Sequence, residues 1–83
     1  MVVLHFYSRS PGWATREHPQ RYYLSPGLEL CAEQAAPHIG LTGAAIARDA
    51  DAPAALRDMA RVYDTWYLFP TGTCMGCGPE HCV

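Results

Sequence analysis

The chain ends in a run that no packed core would use, Cys74-Met75-Gly76-Cys77-Gly78-Pro79-Glu80-His81-Cys82-Val83. Three of its four cysteines fall there, and the stretch offers few apolar side chains to bury. Residues 73–83 therefore read as a Cys-rich tail, which leaves 1–72 to build a small folded domain. A domain of that size buries a modest share of its surface, so its core stabilisation is thin. A metal, a disulfide or a second chain would help to hold it together.

Enough apolar residues are present for a globular body: 49% of the chain is hydrophobic and 17% is charged. The net charge is −2, and the positive residues are six scattered arginines with no lysine. Binding nucleic acid through a phosphate-neutralising patch is not expected from such a chain. The opening Met1-Val2-Val3-Leu4-His5-Phe6-Tyr7 is too short for a membrane span and lacks the basic start of a signal peptide. Soluble, cytoplasmic placement is the expectation, with no membrane partner. In that compartment clustered cysteines bind metal or do redox chemistry more often than they form structural disulfides.

Val2 to Tyr7 is β-branched and aromatic and reads as a strand. Pro11-Gly12 marks a turn. Residues 14–24 read as loop, with a short strand conceivable at Tyr22-Tyr23-Leu24. The next segment carries helix punctuation, with Ser25 as a cap and Pro26 in the first turn. Leu28, Cys31, Ala32 and Ala35 then share one helical face, and Pro37 ends the helix. Leu41 to Ala47 is weakly strand-like. Asp51 is the expected cap of a second helix, in which Leu56, Met59, Ala60 and Tyr63 share a face. Thr65 to Phe69 is the clearest strand after the first. No internal repeat is present. The expected fold is α/β: a small sheet of about three strands, two helices, and βαβ connections.

The segment 44–72, Ala-Ala-Ile-Ala-Arg-Asp-Ala-Asp onward to Gly72, resembles the middle of thioredoxin-like domains. Those run strand, acidic turn, short helix, then an apolar strand and a glycine turn. Here the acidic turn is Asp49-Ala50-Asp51, the helix 53–63, the strand Thr65 to Phe69 and the glycine Gly72. The resemblance implies a thioredoxin-like outline without the usual active site. Where redox members carry Cys-x-x-Cys after the first strand, this chain has Ser8-Arg9-Ser10-Pro11. Where the family places a cis-proline before the later strand, it has Tyr63-Asp64-Thr65. The Cys-rich tail stands in place of the family's last helix.

Three chemistries compete for the tail. Cys74-x-x-Cys77 is the common half-site for zinc, and Gly76 and Gly78 let the backbone wrap an ion. Cys82 supplies a third thiolate once the chain turns at Gly78-Pro79. His81 is a poorer ligand when Cys82 binds, because adjacent side chains diverge. The fourth position is open to Cys31, His5, His18, His38 or His81. Zinc is the first expectation, and copper is an alternative, since clustered thiolates suit soft metals. Paired thiol–disulfide chemistry at Cys74 and Cys77 is the second reading. It lacks a following helix whose dipole would stabilise a thiolate. The third is a precursor peptide, in which the body is a recognition handle and the Cys-rich end is modified by another enzyme.

Bland roles suit the remaining candidates. Cys31 sits on an apolar helical face and is expected in the core. His5 is expected to be a satisfied strand residue, His18 solvated, and His38 at a helix end where a cation is favoured. Trp13 and Trp66 are core residues or a surface for a protein partner or second copy. The sequence offers no catalytic triad, paired carboxylates or phosphate loop by spacing.

Overall fold

The computed structural model describes residues 1–8 and 23–73. Within them the order is β1 (Val2–Tyr7), β2 (Leu28–Leu30), α1 (Ala32–Ala35), a 3-10 turn (Ala36–His38), α2 (Gly43–Ala47), α3 (Ala54–Val62) and β3 (Tyr67–Pro70). The class is α/β, as the residue pattern leads one to expect. The three strands form one sheet in the order β2-β1-β3. β1 lies in the middle, with Val2 opposite Leu30 and Leu4 opposite Pro70. Both pairings are antiparallel. A βαβ unit would instead set neighbouring strands parallel.

Alternation along β1 builds the core. Leu4 and Phe6 are fully buried and pack with Leu68 of β3 and with Ala35, Ile46, Leu56 and Ala60 from the helices. Val3, His5 and Tyr7 take the opposite side, as a period of two requires. The helical stripe expected on α3 is present: Leu56 and Ala60 are buried, while Met59 and Tyr63 pack against the cluster. Tyr63 stacks on Phe6 with ring centres 5.8 Å apart and also meets Trp66 at 4.7 Å. Trp66 is thus a core-flanking residue, while Trp13 lies outside the described residues.

Two segments depart from expectation. Leu28–Leu30 is a strand rather than the first turn of a helix, and only Ala32–Ala35 is α-helical. Pairing with Val2, Val3 and Leu4 decides this, because it satisfies a backbone that a helix would have had to satisfy internally. Ser25 consequently caps no helix. It is buried, and its Oγ accepts from the Phe6 amide at 2.8 Å. Gly43–Ala47 is a helix rather than a strand. Thr42 caps it, with its side chain accepting from Ala45 N at 3.3 Å, and alanine favours helix.

The stretch before α2 covers the outer edge of β3. Gly40 N donates to Leu68 O at 2.7 Å, and Leu68 N donates to Leu41 O at 3.0 Å. Covering that edge removes a row of unpaired groups that would otherwise invite another chain. No helix among the described residues is long and apolar enough to cross a membrane.

Candidate functional site

Cys74, Cys77, His81 and Cys82 lie outside the described residues, as does His18. What the fold defines is the place from which the tail departs, and what stands beside it.

That place is the start of β1. Because Val2 faces Leu30, β2 ends beside the first residues of the chain, and Cys31 follows Leu30 directly. On the other side of β1, Thr71 N donates to Val3 O at 2.8 Å. Gly72 takes a positive φ of 93°, which glycine adopts without a Cβ penalty. Thr73 Oγ1 then closes the turn on Pro70 O at 2.6 Å. Cys31 and the entry to the tail therefore flank the same end of one strand. Neighbouring strands lie about 4.8 Å apart, so two spacings give roughly 10 Å across β1, and the offset between Cys31 and the turn after Pro70 widens the gap to roughly 10–15 Å.

Cys31 is exposed, which corrects its expected place in the core. Its own carbonyl accepts from Gln34 N and Ala35 N, both at 3.0 Å, so the residue stands at the N-cap of α1. Because β2 replaces the first half of the expected helix, the shared face of Leu28 and Cys31 does not exist. The thiol instead meets the Met1 thioether, with Sγ 3.8 Å from Sδ. No pattern in the residues announces that contact, since it follows from the register of β2 on β1.

The other histidines are placed elsewhere. His5 Nδ1 donates to Ser25 O at 2.8 Å, which leaves Nε2 as its remaining ring nitrogen. Its ring meets Tyr7 edge-on at 6.3 Å. His38 is buried on the 3-10 turn, 4% exposed, rather than set at a solvated helix end. Its Nδ1 lies 3.5 Å from Asp49 Oδ2 but makes no hydrogen bond among the described residues. The separation fits an ion pair if the imidazole is protonated, while the geometry does not fit a hydrogen bond. Asp49 is committed on its other oxygen, where Oδ1 accepts from Asp51 N at 2.9 Å.

These two residues help to line a cleft of about 440 Å³ with Glu33, Gln34, Asp51 and two prolines. The lining sets the carboxylates of Glu33, Asp49 and Asp51 beside the rings of Pro37 and Pro53. Among the described residues, no group of three or more histidine, cysteine or acidic side chains is placed to hold a metal ion. Among the described residues, Cys31 is the expected ligand that is exposed and lies at the end of the sheet where the turn from Pro70 to Thr73 closes. Comparison with protein-family models, with curated proteins and with solved structures finds no match to the chain.

Proposed function

We propose that the protein binds one metal ion of the zinc or soft-metal class through Cys74, Cys77 and Cys82, with Cys31 as the fourth ligand. One observation carries the choice of the fourth: an exposed thiol flanks the strand end from which the chain runs on to Cys74. The gap of roughly 10–15 Å is within the reach of about five extended residues at ~3.3 Å each. Histidine ligands are less well supported. His5 is already bonded to Ser25, and His38 is buried against Asp49. A thiolate set needs each sulfur deprotonated, so loading releases protons and strengthens as pH rises. Closing the tail onto the body would add on the order of several kcal/mol where the site forms only on folding.

The thioredoxin-like outline is a finer part of the proposal. The succession of α3, β3 and the turn at Gly72 supports it, while the antiparallel pairing of β1 on both sides weighs against a βαβ unit. Nuclear Overhauser contacts from a further strand, outside the described three and parallel to one of them, would establish it, and their absence from the whole chain would remove it.

Metal analysis of the full chain, purified after growth with added zinc, tests the main proposal. About one equivalent is expected, lost in Cys77→Ser. A well-folded monomer that takes up no metal refutes it. If Cys74 and Cys77 instead interconvert with a disulfide across glutathione potentials, the thiol–disulfide reading takes its place.

A further inference from the structure

We propose that the cleft between α1, the 3-10 turn and the segment before α3 binds a short aliphatic diamine through its ammonium groups. Charge is the first reason. Glu33, Asp49 and Asp51 line the cleft, and no arginine among the described residues does. Among the described residues these carboxylates have one ion-pair partner, His38 beside Asp49. At about 440 Å³ the cleft falls within the roughly 300–1,000 Å³ typical of small-molecule sites.

His38 is the second reason. Its side chain lines the cleft and is 5% exposed, yet Nδ1 has no hydrogen-bond partner among the described residues. A buried nitrogen left unpaired is unfavourable, so a donor that reaches it is rewarded. Nδ1 faces Asp49 Oδ2 at 3.5 Å. Asp49 Oδ1 already accepts from Asp51 N at 2.9 Å, which leaves Oδ2 as the free oxygen. In a neutral imidazole protonated at Nε2, Nδ1 and Oδ2 are two acceptors with no proton between them. The Asp49 side chain is 36% exposed, and a small outward turn of it admits an N–H to both atoms.

The kind of cation follows from the spread of the acceptors. Among the described residues no three histidine, cysteine or acidic side chains are placed to hold a metal ion, so the carboxylates do not share one compact ion. A diamine distributes two charges along an alkyl chain, and that chain lies against the rings of Pro37 and Pro53. With one Asp49 oxygen committed, a compact ammonium suits the site better than the two-point fork of a guanidinium. No residue of the tail takes part.

The test is a titration of the full chain with putrescine at fixed ionic strength, followed by two-dimensional NMR of the amides and imidazoles. Saturable shifts are expected at His38, Asp49 and Asp51. Asp49→Asn keeps an oxygen for Asp51 N but replaces Oδ2 by a donor, and is expected to weaken binding roughly tenfold or more. Glu33→Gln is a second variant that leaves that turn untouched and is expected to weaken binding severalfold. Asp58→Asn, on the exposed side of α3, is expected to leave affinity unchanged. Butylamine is expected to bind more weakly than the diamine, and butanediol not at all. Shifts that do not saturate, or that spread over all surface carboxylates, overturn the inference. So does parental affinity in folded Asp49→Asn and Glu33→Gln, and none of these results bears on metal binding by the tail.

Discussion

Ser25 holds Phe6 by its side chain: Oγ accepts the Phe6 amide at 2.8 Å and donates onward to Pro26 O at 2.9 Å. The Ser25 amide in turn donates to Phe6 O at 2.9 Å. One buried residue therefore satisfies both backbone groups of Phe6, the residue whose ring stacks on Tyr63. Ser25→Ala leaves the Phe6 amide without its acceptor, at a cost of about 1–3 kcal/mol. Urea unfolding measures this. A change below about 0.3 kcal/mol would show that water takes over the bond.

Gly43 offers a test of sign. It starts α2, and on helix propensity alone alanine would be favoured there by about 1 kcal/mol. Packing says the opposite, because a Cβ at Gly43 would overlap the Tyr63 carbonyl and stand 2.7 Å from Ala60 O. Both are backbone atoms and cannot swing aside. Gly43→Ala is expected to destabilise by about 1–3 kcal/mol through separation of α2 from α3. A stabilising result would mean that the two helices do not dock this closely.

How much of the fold was legible follows from which residues act locally. β1 and α3 were readable because their periods of two and of 3.6 are each carried by one unbroken segment. β3 was readable from its aromatic run. The region 25–35 misled because Leu28, Cys31, Ala32 and Ala35 fit a helix, while only Leu28-Glu29-Leu30 alternates. The pairing that makes a strand of those three residues lies with Val2–Leu4, far away in sequence. Leu41–Ala47 was legible in principle, since Thr42 is a good cap before an alanine-rich turn. The buried approach of His38 to Asp49 and the contact of Cys31 with Met1 are tertiary and left no mark on spacing.

Surface charge is expected to matter little. Arg61 and Asp58 pair at 3.2 Å, but their side chains are 65% and 71% exposed. Water and salt screen such a pair, so Arg61→Ala should change stability by less than about 0.5 kcal/mol. Leu68→Ala, at a side chain 1% exposed, should cost about 2–5 kcal/mol. Denaturation of the two variants side by side checks the ordering, and a reversed order would place the core elsewhere.

Cys31 separates folding from binding. The thiol is exposed, so Cys31→Ser should leave the metal-free protein within about 0.5 kcal/mol of the parent. The extra stability gained on loading with metal should shrink in the same variant. Thermal unfolding with and without bound metal measures both. A large loss in the metal-free state would return Cys31 to a packing role.

The most direct test of thiolates gathered on a single ion is X-ray absorption at the metal edge of the loaded full chain. The expected result is a shell of three or four sulfur scatterers near about 2.3 Å, diminished in Cys77→Ser. A shell made only of nitrogen and oxygen at about 2.0–2.2 Å, unchanged by that substitution, would contradict it.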